Sequence, residues 1–294
     1  MIRHLSIFLI LFQLASCVGT DDEVGPHVAE QTDYYDGVAY HRFYRYTGNL
    51  LGYATSSDGV TFEKFAGSPI MEDSLFPYLV IYEGNRYLIV QHRQGSTAYY
   101  LYDVNDPTEP KIVNGGRPIL EGGFFNVGVT IVGNRWHMLV EGQAGETFHL
   151  RYSWADFPDL NFNTNISAVV INDAGNPYLS YIPSRDAILV VYGEGYRSSG
   201  VWSVTASTAL ISSDLSLAAS WRDSAFRMSK SGIHIADPDL GCGIERFPLI
   251  ITVGSAQSSV STYYFRGTKS DLYDAIIAGS TEIEEDDQNP TMTW

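Results

Sequence analysis

The chain has 294 residues, of which only 18% are charged and 20 are tyrosines, a composition typical of strands and stacked aromatic surfaces rather than of amphipathic helices. Its formal net charge of −16 makes it repel phosphate groups, which excludes nucleic acid and anionic lipid as preferred partners. A neutral ligand such as a glycan is compatible with this charge.

The first 17 residues are typical of a signal peptide, because Arg3 precedes an apolar stretch, 5–14, that is too short to span a membrane. The stretch ends in LASC, which resembles the bacterial lipobox, in which the cysteine is lipidated and the chain is cut just before it. We therefore expect a lipidated Cys17, with a plain cleaved signal peptide as the alternative. Residues 18–25 are predicted to be an acidic tether. The protein would then be an outer-membrane lipoprotein on the periplasmic or cell-surface side, with the lipid anchor as its only membrane contact.

The chain has two cysteines, Cys17 and Cys242. Lipidation of the first would leave the second without a disulfide partner. The surrounding LGCGIERF offers no base that could activate a thiol. We therefore expect Cys242 to be a small, buried apolar residue.

A repeat is visible where EGNRYLIV, at 83–90, returns as VGNRWHML at 132–139. Longer segments with this hairpin pattern occur at 26–46, 76–93, 125–142, 176–195 and 237–255. A third predicted strand follows each hairpin and ends in an acidic turn, at Asp58, Asp106, Asp156, Asp214 and Asp271. A fourth strand then returns, as in the PIM-E and PIL-E segments.

These repeats predict an all-β fold, a five-bladed β-propeller of four-stranded antiparallel blades over residues 26–280. The alternative is a β-sandwich in which the hairpins are alike by accident. The acidic tail, 281–294, is predicted to be either a closing strand or disordered. We expect a monomer.

Propeller geometry predicts where a ligand binds, because the start of each innermost strand and the end of the second strand lie on one face. The residues predicted to open the innermost strands are His27, Phe76, Asn126, Asn176 and Asp237. The candidate catalytic carboxylates on this face are Asp237, Glu141, Glu194, Glu121 and Asp73. The candidate substrate-binding residues are Arg45, Tyr78, His92, Arg93, Asn126, Tyr178, His234 and Asp239.

Carboxylates and aromatic rings on one face are typical of a carbohydrate-binding site. Glycoside hydrolysis needs two carboxyl groups, and aromatic faces stack on sugar rings. Asp237 is the first candidate, since it opens an innermost strand as an acid and Pro238 restricts the backbone beside it. For each carboxylate the alternative is a solvated loop residue or an ion-pair partner of Arg45 or Arg93.

The segments LLGYATSSDGVTFEKFAGSPIM and HIADPDL, together with the GNR hairpins, resemble the glycoside hydrolases with five-bladed propellers, families 32, 43, 62, 117 and 130. The resemblance implies hydrolysis of glycosidic bonds in the propeller funnel. In family 43 the three catalytic acids open the innermost strands of the first three blades. The matching positions here fall near His27, at 76–78 and at Asn126, and none of them is acidic. This departure argues against the standard family 43 mechanism.

Two functions of different class remain open at this point. One is a lipid-anchored glycoside hydrolase with a carbohydrate ligand. The other is a propeller that binds a glycan or a partner protein at the cell surface without catalysis. No cofactor is predicted. The spacing of His27, His92 and His234 does not indicate a metal site, and single histidines are more often structural.

Overall fold

The computed structural model describes twelve parts of the chain. They are residues 29–46, 49–59, 61–93, 97–145, 147–195, 202–217, 221–228, 234–242, 250–256, 259–265, 268–278 and 292–293. The predicted signal peptide and tether lie outside them, as do His27 and Cys17.

The described strands form five sheets, numbered here in chain order. Sheet 1 contains β1 (Ala29–Tyr35), β2 (Tyr40–Tyr46), β3 (Leu50–Ser56) and β4 (Phe62–Lys64), with β21 (Met292–Thr293) beside β4. Sheet 2 contains β5 (Leu75–Tyr82), β6 (Asn85–His92), β7 (Ala98–Asp103), β8 (Lys111–Ile112) and β9 (Leu120–Glu121). Sheet 3 contains β10 (Val127–Val132), β11 (Arg135–Ala144), β12 (Thr147–Asp156) and β13 (Val169–Asn172). Sheet 4 contains β14 (Ala174–Ile182), β15 (Ala187–Glu194), β16 (Ser203–Leu210) and β17 (Arg222–Met228). Sheet 5 contains β18 (His234–Asp239), β19 (Ile250–Ala256) and β20 (Ser259–Phe265).

The repeated GNR segments form tight hairpins, as predicted. Tyr82 pairs with Asn85 across the first turn, and Val132 pairs with Arg135 across the second. Glycine is suited to both turns, because Gly84 and Gly133 have φ values of 77° and 63°, which other residues rarely adopt.

The sheets are arranged as a propeller around their innermost strands β1, β5, β10, β14 and β18. Each of these strands contacts the innermost strand of the next sheet, and β18 contacts β1. A hydrogen bond from the Cys242 N–H to the Asp33 carbonyl, at 2.8 Å, joins the last sheet to the first. The chain is therefore an all-β propeller of antiparallel sheets; parallel pairing occurs between β21 and β4 and at a single bridge between Tyr34 and Cys242.

The number of complete blades differs from the prediction. Four sheets have at least four strands within the described residues, whereas sheet 5 has three and is followed by helix α1 (Lys269–Ala278). Asp271, predicted to lie in a strand-ending turn, instead accepts hydrogen bonds from the N–H and hydroxyl of Thr268, at 2.9 and 2.7 Å. This capping arrangement favours a helix start.

Within the described residues, no helix is both long and apolar enough to cross a membrane.

Three of the predicted acidic turns are stabilised by hydrogen bonds to the aspartate within the turn. Asp58, Asp106 and Asp214 accept hydrogen bonds from nearby serine or threonine hydroxyls and from backbone N–H groups. The hydroxyls of Ser212 and Ser216 lower the pKa of Asp214 to about 2. Asp156 instead forms an ion pair with Arg135, at 2.9 Å.

The centre of the propeller is closed by a tyrosine. The hydroxyl of Tyr78, on β5, donates to the carbonyl of Leu179 and accepts from its N–H, both at 3.1 Å. Leu179 lies on β14 of sheet 4, so this contact crosses the ring between sheets that are not neighbours in the chain. The Tyr78 ring also packs on Tyr178, with ring centroids 4.6 Å apart.

Replacing Tyr78 by phenylalanine is expected to lower the free energy of unfolding by about 1–3 kcal/mol, because both backbone groups of the buried Leu179 lose their partner. Urea denaturation measures this change. The matched control is Tyr181→Phe, whose hydroxyl contacts Asp186 at the surface. We expect about 0.5 kcal/mol or less there. Equal losses in the two variants would contradict a bridging role for Tyr78.

Candidate functional site

The innermost strands of sheets 2 and 4 open with the same irregularity. The strand register shifts at Phe76-Pro77 and at Asn176-Pro177, where the residue before the proline has a φ of 50° or 51°. Asp237-Pro238 lies at the corresponding shift in sheet 5. Asp237 therefore lies at the register shift inside β18, three residues after this strand begins at His234.

These openings meet in a small cavity at the ring centre, on the side called the funnel face below. Its lining residues come from all five innermost strands: Gln31, Phe76, Pro77, Tyr78, Asn126, Val127, Asn176, Pro177, Tyr178 and Pro238. The cavity measures about 40 Å³, whereas pockets that enclose organic ligands usually measure roughly 300–1,000 Å³. A sugar ring would therefore have to lie over the mouth of this cavity rather than inside it.

Glu141 is a buried carboxylate beside the mouth, with 4% of its surface exposed. Its Oε2 accepts hydrogen bonds from the Asn176 N–H, at 2.7 Å, and from the Asn126 side-chain amide, at 3.2 Å. The Asn126 amide also donates to the Asn176 side-chain oxygen. A Cβ on Gly175 would lie 2.6 Å from Glu141 Oε2, so only glycine permits this approach. The predicted catalytic Glu141 and substrate-binding Asn126 are thus in direct contact.

An aromatic cluster on sheets 3 and 4 comes near Glu141, because a Cβ on Gly175 would contact both Glu141 and Trp202. The Phe148 ring packs between Phe125 and Trp202, with centroid distances of 6.2 and 5.5 Å. Phe125 and Phe148 are partly exposed. His149, the next residue of β12, points to the opposite face of sheet 3, where burial and then the Arg151 charge lower its pKa. The surface formed by Phe125 and Phe148 is suited to stacking on a sugar ring.

A second polar group of the funnel face lies on sheet 2. Asp73 accepts the Arg93 N–H at its carboxylate, at 3.2 Å, and its carbonyl receives His92 Nδ1 at 2.8 Å. Because a carbonyl only accepts, Nδ1 carries the proton and Nε2 accepts from the Tyr102 hydroxyl, at 2.8 Å. The exposed Arg93 guanidinium lies 6.0 Å from the centre of the Phe76 ring. Asp73, His92 and Arg93 therefore form one cluster.

Three predicted residues lie farther from the cavity lining. Glu194 ends β15, is half-buried and pairs with Ala174. Glu121 is exposed on β9, which pairs with the third strand of sheet 2 and so lies away from the ring centre. Arg45 is half-buried near the end of β2.

Three further predicted substrate-binding residues lie on the innermost strands of sheets 4 and 5. His234 and Asp239 are the first and last residues of β18. Tyr178, predicted to line the funnel wall, is buried and contributes to the cavity lining together with Tyr78. Within the described residues, no group of three or more histidine, cysteine, aspartate or glutamate side chains is arranged to hold a metal ion.

Sequence reasoning missed three contributors to this site. Gln31 lines the cavity from β1, where the prediction had placed the opening at His27. Asn176 was identified as a strand opening, but its hydrogen bond to Glu141 was not expected. Gly175 precedes an Asn-Pro pair, and a glycine inside a strand is a recognised signal of close approach.

Comparison of whole structures finds many propeller enzymes with the same fold. An endo-1,4-β-xylanase from Bacteroides thetaiotaomicron superposes with a TM-score of 0.61 at 10% identity, over 91% of this chain and 97% of that one. A family 32 β-fructofuranosidase of Bombyx mori in complex with sucrose gives 0.54 at 11% identity, over 85% of this chain and 66% of that one. An α-L-arabinofuranosidase from Podospora anserina in complex with cellotriose gives 0.51 at 18% identity, over 82% of this chain and 88% of that one.

No protein-family model matches the sequence, and no curated protein matches it either. The chain spans just under two thirds of the length of the Bombyx enzyme. At identities of 10% to 18% such likeness establishes the fold and nothing finer. The resemblance to propeller glycoside hydrolases noted in the sequence is thereby confirmed at the level of architecture: the chain has the propeller fold of these enzymes.

Proposed function

We propose that the protein is a glycoside hydrolase that acts on an oligosaccharide or polysaccharide lying over the mouth on the funnel face. The observation that supports this most is Glu141, a buried carboxylate held by two amide donors beside the place where all five innermost strands open. Hydrolysis needs a second carboxyl group. Asp237 is the partner we propose, because its backbone lies at the register shift of β18 that corresponds to the shifts in the cavity-lining strands β5 and β14.

The partly exposed rings of Phe125 and Phe148 would receive the apolar face of a sugar. Arg93, which lies over the Phe76 ring, would orient its hydroxyl groups, whereas both ring nitrogens of His92 already contact Asp73 and Tyr102. Propeller enzymes of the same fold have been crystallised with sucrose and with cellotriose, which supports a carbohydrate ligand for this chain.

The same proposal includes a complete ring of five blades and a lipid anchor. Sheet 5 would be the fifth blade, and contact between β18 and β1 would close the ring. The mature protein would be a monomeric lipoprotein anchored through Cys17, in the outer membrane, and would face the periplasm or the cell surface. Glu194, Glu121 and Asp73 remain reserve candidates for the second carboxylate.

A glycan-binding propeller without catalysis is the second candidate, and two observations favour it. The cavity is too small to enclose a sugar, and Asn126 and Asn176 already occupy one oxygen of Glu141. Such a protein would retain glycans on an array and release no products from them. Product release by the wild type distinguishes the two functions.

Asp237→Asn is expected to lower turnover by orders of magnitude while folding and glycan binding survive, because the amide keeps the shape of the carboxylate but cannot exchange a proton. Reducing-end release from a panel of plant and microbial polysaccharides measures this effect. The control is Glu109→Gln, which changes an exposed carboxylate in the turn after β7. Unchanged turnover in Asp237→Asn would remove this residue from the mechanism.

A further inference from the structure

A second cavity among the described residues lies between sheets 2 and 3, away from the funnel mouth. It measures about 380 Å³, within the range of pockets that hold organic ligands and far above the roughly 40 Å³ of the central cavity. Its lining residues, which define the cleft discussed below, are Tyr87, Leu101, Val113, Asn114, Gly115, Arg117, Phe157, Pro158 and Asp159.

The cleft is separate from the proposed hydrolytic site. Tyr87 lies near the start of β6, five residues before His92 at the funnel end of the same strand. At the rise of an extended strand this corresponds to ~17 Å. Phe157 directly follows β12, at the end that carries the acidic turns. A ligand in the cleft would therefore approach the propeller from the side opposite the funnel face.

Aromatic rings form one wall of the cleft. Tyr87 and Phe157 are partly exposed there, with ring centroids 6.2 Å apart. Trp136, fully buried, stacks on the far side of this wall with its ring 6.0 Å from Phe157 and inclined by 13°. The packing of Phe157 against Trp136 fixes the orientation of its exposed surface, so a flat apolar ligand face would meet a rigid platform.

Polar groups of opposite charge form the rim. The Arg117 guanidinium and the Asp159 carboxylate lie 3.7 Å apart and remain 70% and 91% exposed. Asn114, which opens a 3-10 turn at 114–116, adds a side-chain amide. Because the two charges offset one another, the cleft does not select an ion, and the acidic protein as a whole disfavours an anion.

We propose that this cleft is a second, non-catalytic binding site for a neutral sugar ring of a glycan chain. A sugar has an apolar C–H face, which the aromatic wall would receive, and equatorial hydroxyl groups, which Arg117, Asp159 and Asn114 would bind. A purely apolar ligand could not form hydrogen bonds with the polar rim. The proposal does not depend on hydrolysis at the funnel face, because a sugar can bind here even if the funnel site is inactive.

The test is a titration of the whole protein with four neutral trisaccharides, namely cellotriose, xylotriose, mannotriose and arabinotriose. The readout is the indole N–H resonance of Trp136, assigned through its loss in Trp136→Phe, because this ring lies directly behind Phe157. We expect at least one trisaccharide to shift this resonance saturably, with a dissociation constant in the millimolar range.

Two variants separate the cleft from other sites. Arg117→Ala changes an exposed side chain, and Val113→Trp fills the cleft with a bulky ring; each is expected to weaken the binding at least tenfold. Lys111→Ala, which removes an exposed cation on β8 outside the cleft, and Asp237→Asn at the funnel face are expected to leave the titration unchanged. The proposal is overturned if no trisaccharide shifts the resonance at tens of millimolar, or if the binding survives in Arg117→Ala.

Discussion

Arg42→Met is expected to destabilise the protein by about 3–5 kcal/mol, the largest loss we expect from any single stability variant considered. Arg42 Nε and Nη2 donate to the two carboxylate oxygens of Asp33, at 2.8 and 2.7 Å. Both side chains are buried, with 5% and 2% of their surface exposed. Methionine keeps most of the volume but removes the guanidinium that pairs with the buried Asp33 carboxylate and lies over the Phe62 ring.

Chemical denaturation of the variant measures this loss, and two controls define its origin. The double variant Arg42→Met with Asp33→Leu should recover much of the stability, because no buried charge is then left without a partner. Arg117→Met breaks the exposed pair with Asp159 and should cost about 1 kcal/mol or less. Similar losses for Arg42→Met and Arg117→Met would show that burial of the first pair does not govern its contribution.

Glu141→Gln is expected to lower turnover about a hundredfold or more on any glycan that the wild type hydrolyses. Glutamine can still accept the hydrogen bonds of the Asn176 N–H and the Asn126 amide through its carbonyl oxygen. The fold and the mouth should therefore persist, while the group loses its negative charge and its ability to exchange a proton. The affinity for the glycan should change far less than the rate.

Steady-state kinetics with wild type, Glu141→Gln and Glu109→Gln separate these effects. Glu109, exposed in a turn, is the matched control for loss of one carboxylate and should behave like wild type. Glu194→Gln tests the reserve candidate at the end of β15 under the same conditions. A Glu141→Gln enzyme with unchanged turnover would show that Glu141 only holds Asn126 and Asn176 in place, and would support the glycan-binding alternative.

The propeller could be predicted from the sequence because its blades repeat a local pattern. The GNR turns fix hairpin register through glycines with positive φ, and the acidic turns fix the ends of third strands through short hydrogen bonds to neighbouring residues. Both signals depend on residues within a few positions of one another, so they can be read from the chain directly.

Helix α1 was missed because its signals conflict. Lys269–Ala278 follows a segment that matches the acidic turns of the earlier repeats, and the same Thr268 and Asp271 that suit a turn also suit a helix start. The pattern TKSDL cannot by itself distinguish the two conformations.

The face of the site could be predicted, but the contacts within it could not. The hairpin argument brought Glu141, Asn126 and the Asp73 cluster to the funnel side, because strand direction alternates regularly in an antiparallel sheet. The contact of Tyr78 with Leu179 across the ring joins residues 101 positions apart, and no local pattern encodes such a contact.

The location of a bound sugar tests the central claim most directly. Crystals of Glu141→Gln soaked with an oligosaccharide that the wild type hydrolyses should show a sugar ring over the mouth, with hydroxyl groups within about 3.5 Å of Asn126 or Asn176 and a ring face on Phe125 or Phe148. The account is contradicted if the mouth remains empty while the same oligosaccharide occupies only the cleft between sheets 2 and 3 or another surface.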